Sequence, residues 1–489
     1  MIYINSRLFI HLFIRILLVC IFAPIQPGYT SDAATEETEI ETETKSYEDI
    51  LARVIAVYPT LQSAILQVQR STLELDRIYS TLTWIATADT SFSHDVAGFG
   101  TPADTAIARG ALTRKLESGD RITLDASYIR TDNEVVFINT LPNPSNDSAI
   151  NLSYRKPFQK DAGNVVYHSA EEAARAQVTA SQAEEFVLRD TLAKQVAVLY
   201  FALATIEVNH ANTSEGVDRL RRLHEFVIRN KKLGISEEKD ILQSQARLDR
   251  KLAALDILET ARNQQLFNLN RLMNIAATTT FSSQLDYTKK ELPARDTLQG
   301  QVFSYNPALN KAFAAKQTAE SNIEIQRDNK KDTLDVIVSV GARAKAGSTE
   351  ERDIDETDLA GKVGFEYRAA LDKSGLRAAL QQALLSRDIA DNQIRQMDID
   401  LNNDIDRLLG LIRDQKKSIS SNSRLMRAEK MKFDEAVIRY RIGRTTTADL
   451  IIFEEDLSLA ESTLANSRVD LVSSLNELER LRGTIWLGL

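Results

Sequence analysis

The stretch FDEAVIRYRIGRTTTADLIIFEEDL, Phe433 to Leu457, decides how the chain is read. Before it, apolar or aromatic residues recur every seven positions, at Ile405, Ile412, Ile419, Met426, Phe433 and Tyr440. After it a second series runs Leu450, Leu457, Leu464, Leu471 and Leu478. A seven-residue repeat marks helices that pack along their length. Between the two series stands Gly443, which can take the left-handed conformation that ends a helix. Thr445, Thr446 and Thr447 can cap the helix that follows. The stretch predicts the tip of a very long antiparallel helical hairpin.

A second copy lies upstream. KKLGISEEKDILQSQARL, Lys231 to Leu248, puts Gly234 in the place of Gly443 and offers Ser236 as the cap; Asp240 and Asp449 each follow their glycine by six residues. The helix before this tip counts Leu192, Leu199, Ile206, Thr213, Leu220 and Val227, and the one after it carries Ile241, Leu248, Leu255 and Leu269. The chain therefore reads as two tandem helical hairpins.

Composition agrees. The 489 residues are 43 % hydrophobic but only 7 % aromatic, which suits long helices. A net charge of −9 argues against a nucleic-acid partner. The single Cys20 excludes an internal disulfide and a cysteine metal cluster. Arg7 and Arg15 lead into an apolar run, Ile16 to Ala23, that is too short to span a bilayer and reads as a secretory signal. The acidic, Thr-rich segment 31–45 reads as a disordered leader.

No proline falls between Phe158 and Leu292 or after Pro307, so long helices can run uninterrupted there. Pro59 and Pro307 each sit where a short helix gives way to a longer one. Elsewhere the period changes to two. Leu334, Val336, Val338 and Val340 alternate with Asp335 and Ser339; Val363, Phe365 and Tyr367 alternate with Gly364 and Glu366. Trp84, Ala86, Ala88, Thr90 and Phe92 alternate with polar residues, as do Leu152 and Tyr154. Such segments are membrane barrel strands or a soluble sheet with one wet face. The signal segment and the aromatics Trp84, Phe99, Phe158, Phe365 and Tyr367 at strand ends favour the membrane. Four strands per chain cannot close a barrel, and an open edge is not viable in lipid. Three chains would give twelve strands.

The tandem duplication, the Tyr58-Pro59 and Asn306-Pro307 junctions, SYRKPF at 153–158, and the tips LGISEEKD and RYRIGRTTTAD together resemble the TolC-like outer-membrane efflux and secretion channels, over Ser46 to Gly483. The resemblance implies a mainly helical chain with a membrane β portion. Its long helical hairpins would form a periplasmic α-barrel, and its four strands would contribute to a trimeric 12-stranded transmembrane β-barrel. The expected layout is a signal peptide (1–30), the leader (31–45), helices of the first repeat (46–85), strands with an extra hairpin (86–157), and a long helical hairpin (158–275). A linker with the first helices of the second repeat (276–333), two strands (334–367), a second long hairpin (368–483) and a short tail (484–489) follow. The implied partners are further copies of the chain, outer-membrane lipid, a periplasmic adaptor protein and an inner-membrane transporter of RND or ABC type. The implied location is the outer membrane of a Gram-negative bacterium, reaching into the periplasm.

By the same resemblance Asp240, Tyr440 and Asp449 match gate residues of the periplasmic entrance. Ile452 and Thr445 stand where such channels often carry an aspartate and an arginine. Leu233, Gly234, Ile235, Ile442, Gly443 and Arg444 match the tip surface that docks the adaptor. No catalytic constellation, phosphate-binding loop or metal-ligand spacing is found among the five histidines, so no cofactor is expected and energy must come from a partner. The alternative is a soluble periplasmic coiled-coil scaffold without a pore.

The first half exceeds the second by 39 residues between proline and tip glycine, Pro59–Gly234 against Pro307–Gly443. Nearly all of the excess lies between the first strands, where 108–116 and 121–128 flank Ser118-Gly119-Asp120 as a hairpin. The hairpin either joins the wall, giving six strands per chain and eighteen per trimer, or projects as an extracellular flap. The unchanged helix count below favours the flap.

Overall fold

The computed structural model describes residues 43–95, 102–134, 142–234, 236–285, 292–349, 352–483 and 485. The expected signal segment, most of the leader, Phe99, Ile235 and nearly all of the tail fall outside these. The elements are β1 (Glu43–Lys45), α1 (Tyr47–Val57), α2 (Pro59–Ser80), β2 (Ile85–Asp95), β3 (Ala103–Lys115), β4 (Arg121–Asn133), β5 (Ser145–Pro157), α3 (Val165–Lys232), α4 (Glu238–Met273) and β6 (Phe281–Ser283). Then follow α5 (Arg295–Tyr305), α6 (Pro307–Asn329), β7 (Thr333–Ser348), β8 (Asp353–Arg368), α7 (Ser374–Arg441) and α8 (Thr447–Leu481).

The two halves match almost residue for residue in their helices. α1 and α5 are both 11 residues, α2 and α6 are 22 and 23, α3 and α7 are both 68, and α4 and α8 are 36 and 35. Pro59 and Pro307 occupy the first helical turn, where a missing N–H costs nothing. At 1.5 Å per residue α3 and α7 are each on the order of 100 Å long. That is about three times a bilayer's hydrocarbon core, so neither is a simple membrane span. Among the described residues α3 is the one single helix with a stretch long and apolar enough to cross a membrane. Its Leu192, Val196, Tyr200 and Leu203 are instead buried against α1, α4 and β6.

Two equivalent cores, one in each half, pack the short helices on the long ones. The first packs Ile50, Leu51, Val54 and Leu61 on Val196, Tyr200 and Leu269. The second packs Leu298, Val302 and Leu309 on Ile405, Leu408 and Ile412. β1 and β6 form a parallel pair beside the first core, and the Tyr200 hydroxyl accepts from the Gln284 amide at 2.9 Å. Burial pushes the Tyr200 hydroxyl up to about 12. Glu43–Lys45, expected to belong to the leader, form a strand.

The expectation of four strands per chain does not stand. β2 to β5, β7 and β8 form one six-stranded sheet in the order β2-β3-β4-β5-β7-β8, antiparallel throughout. β3 and β4 lie inside the sheet with complete ladders to β2 and β5, so the extra hairpin is no flap, and four strands per chain toward a twelve-stranded barrel is the wrong count. The turn at 116–120 points toward the helices, not to the far end. Lys115 pairs with Asp161, the Asn164 side-chain amide donates to Leu116 O at 3.2 Å, and Tyr154 donates to the buried Asp120 at 2.7 Å. Gly119 has φ +89°, and a Cβ there would lie 2.6 Å from Asp161 O. Each inserted strand finds a backbone partner on both sides, which a hairpin projecting into water would lack.

Candidate functional site

Two regions of the fold are candidate functional sites: the sheet, and the helical tips at the opposite end of α3 and α7.

The sheet has two unlike faces. Ladder register places Ala86, Ala88 and Phe92 of β2 beside Leu112, Gly110 and Ala106 of β3; Leu112 in turn faces Leu124 of β4, which faces Leu152 of β5. The row continues through Val340 and Val338 of β7 to Gly361 and Val363 of β8. In these rows the face is apolar across all six strands, with Arg114 beyond them at the helical end and Arg130 and Asp355 at the other, yet its apolar side chains are exposed: Phe92 is 70 %, Val363 70 % and Phe365 77 % accessible. Aromatics stand at its margins, with Trp84, Tyr154, Phe365 and Tyr367 at the helical end and Phe92 and Tyr128 at the other. The opposite face carries Asp89, Arg109, Asp125, Asn151, Arg343 and Lys362. On it Arg155 pairs with Asp335 at 3.1 Å and Glu366 at 2.8 Å. A wide apolar face open to its surroundings, edged with aromatics and backed by a charged face, suits lipid on one side and water on the other.

At the tips the chain turns twice. Gly234 and Gly443 have φ +75° and +74°, and nothing lies within 4 Å of a Cβ at either, so backbone conformation and not crowding requires glycine. The next helices start in matching ways. Thr446 caps α8, its hydroxyl accepting from the Asp449 amide at 3.1 Å while Asp449 accepts from the Thr446 hydroxyl at 2.7 Å. α4 is capped by Glu237, whose amide donates to Asp240 at 3.0 Å. Ser236, the cap expected from sequence, stands one residue too early. Asp240 and Asp449 thus share one local role, the third position of a capping box.

Tyr440 is 8 % exposed, its ring 5.5 Å from that of Phe226 on α3. Its hydroxyl shares a hydrogen bond of 2.8 Å with Thr447. Burial pushes the Tyr440 hydroxyl above its ordinary range, and the Asp240 charge adds to this. So Tyr440 and Asp240 lie near each other without a direct bond among the described contacts. Leu233 and Ile442 are 72 % and 61 % exposed, and Gly234, Gly443 and Arg444 are also exposed, leaving an accessible mixed surface at the turns.

Above the tips lies a cluster that sequence reading missed. Arg219 of α3 donates to Glu454 at 3.3 Å, Ser458 at 3.2 Å and Glu461 at 2.9 Å, all on α8, and Glu454 is 1 % exposed. Gly216 leaves room for Lys251 of α4, since a Cβ there would lie 2.6 Å from Lys251 Cε and 3.0 Å from Glu454 Oε1. Burial pushes the Lys251 ammonium below its usual value, with Glu454 opposing that. Arg247 pairs with Glu455 at 2.9 Å. The cluster ties one hairpin to the other beside the apolar packing of Val217, Leu220, Val227, Leu248, Leu450 and Ile451. A glycine inside a long helix was its one visible sign. Among the described residues no group of three or more histidine, cysteine, aspartate or glutamate side chains is placed to hold a metal.

The fold so described, a strand sheet set on two very long helical hairpins, is that of the outer-membrane channels. It is similar to the outer-membrane channel OprN (TM-score 0.64, 15 % identity, covering 94 % of this chain and 98 % of that one). It is similar to the outer membrane protein VceC of Vibrio cholerae (0.65, 16 %, 89 % and 96 %) and to the CmeC outer membrane channel of Campylobacter jejuni (0.62, 13 %, 95 % and 95 %). No family model and no curated protein sequence matches the chain.

Proposed function

We propose that the protein is a passive, gated exit duct of the outer membrane of a Gram-negative bacterium. It would act as a homotrimer and receive substrates from an inner-membrane transporter of RND or ABC type through a periplasmic adaptor, in efflux or type I secretion. The observation that carries this reading is the exposed apolar face shared by six strands. A soluble scaffold would have that face covered, because an open apolar area of this extent is unstable in water. The helices below it are long enough to reach deep into the periplasm, and the polar face of the sheet would line the conduit.

The tips supply the closure. Asp240 and Tyr440 hold the entrance shut together with Thr447, and Asp449 of each copy contributes to an acidic ring. Leu233, Gly234, Ile235, Ile442, Gly443 and Arg444 form the surface that meets the adaptor. The test is conductance in planar bilayers. Asp240→Asn combined with Tyr440→Phe keeps the helix cap and the ring but removes a charge and a hydroxyl. With about 1 kcal/mol for the Tyr440–Thr447 hydrogen bond, the open fraction should rise roughly fivefold. Unchanged conductance would remove these residues from the gate.

A further inference from the structure

The sheet ends in two unpaired edges, β2 and β8, and among the described residues neither is covered. They differ from the inner strands in one respect. On the apolar face Phe92 of β2 is 70 % exposed, and Leu359 and Phe365 of β8 are 89 % and 77 %. Large apolar side chains on the same face of the inner strands do not exceed the 59 % of Ile150. An inner side chain is flanked on both sides, an edge one on a single side. In lipid such an edge would also leave a row of backbone N–H and C=O groups without water.

We infer that the occupant of each edge is the opposite edge of another copy of this chain, and that three copies close into an eighteen-stranded wall. This rests on the trimeric reading above. Direction permits it. β2 leaves the helices and β8 returns to them, so β8 of one copy meets β2 of the next antiparallel, as every pair within the sheet already is. Six strands per copy keep the total even.

The wall then has more strands than the shaft has helices. Of the six strands, β2, β5, β7 and β8 connect to a helix, while β3 and β4 meet at the turn 116–120. Eighteen strands stand over twelve helix passages. The turn, clipped to the start of α3 through Lys115–Asp161 and Leu116–Asn164, fills the step. Barrel diameter grows roughly in proportion to strand number, so this wall is about 1.5 times as wide as a twelve-stranded one. The narrow point of the duct therefore lies at the tips, and the outer mouth does not select what leaves.

The full-length protein, extracted in detergent and viewed down its axis by electron microscopy, should show a threefold wall about 1.5 times the width of a twelve-stranded barrel. Separately, a cysteine at Ser91 of β2 is combined in turn with one at Asp358, Ala360 or Lys362 of β8, all on the polar face, in a Cys20→Ser background. Oxidation should link copies in at least one register, in a ladder that ends at the trimer. A membrane-integrated trimer with a wall of twelve-strand width would overturn the inference and leave the channel reading intact. The same holds if no register cross-links. A ladder ending at the dimer would overturn the inference and the trimer together. Release of the protein from membranes by salt alone would overturn the channel reading and the inference with it.

Discussion

Arg219 and Glu454 are separated by 235 positions in sequence, yet they meet in the buried ion cluster that joins the two hairpins. Removing one member of such a pair strands a charge, whereas removing both is far less costly. Arg219→Met alone should lower stability by about 3 kcal/mol, read as the denaturant midpoint of the detergent-solubilised protein. Adding Glu454→Met should recover most of that loss. A double variant at least as unstable as the single one would mean that the pair is not coupled. At this scale the sequence was only partly legible. Gly216 stands where a helix interior glycine costs about 1 kcal/mol against alanine, a visible irregularity. What approaches it, Lys251 and Glu454, depends on packing between distant helices and leaves no mark in a single sequence.

The tips show the opposite. Helix ends are governed by chemistry within a few residues, so Gly443, Thr446 and Asp449 could be read directly as stop, cap and capping partner. At the first tip the same reading was off by one, because Glu237, an uncommon cap, takes the place that Ser236 was expected to fill. Asp449 is a capping partner by its contacts and a ring member only by proposal, and the two roles can be separated. Asp449→Asn keeps an oxygen for the Thr446 amide but removes the charge; Asp449→Ala removes both. If Asp449 belongs to an acidic ring, both variants should relieve block by multivalent cations added on the periplasmic side. Only the alanine variant should also lose about 1 kcal/mol of stability. If block is relieved by alanine but not by asparagine, the charge is not what binds the cation, and the ring role falls.

For the whole molecule, the mainly helical architecture with a strand portion was legible, because periods of seven and two are properties of long segments. The place of the extra hairpin was not. Its alternation was plain, with Leu112, Leu124 and Tyr128 on one side and Arg109 and Asp125 on the other. The flap expectation assumed that every strand of the wall continues into a helix. The turn at 116–120 breaks that link, and only the ladders from β2 to β5 show it. If the face described above meets lipid, Leu124→Lys should cost about 2–4 kcal/mol and sharply lower the yield of membrane-integrated protein. Asp125→Lys, one residue away on the other face, should leave that yield nearly unchanged. Equal losses from both would argue that neither face of β4 meets lipid.

The turn at 116–120 has one more consequence. Because it closes a strand pair at the helical end without calling on another helix, girth and length are separate traits in this architecture. A strand pair can be gained or lost by a single insertion or deletion while the shaft, its tips and whatever engages them stay as they were. Parity is kept at each such step, so closure of the proposed ring remains available after every one, and its width can be reset over evolutionary time with the helical hairpins left untouched.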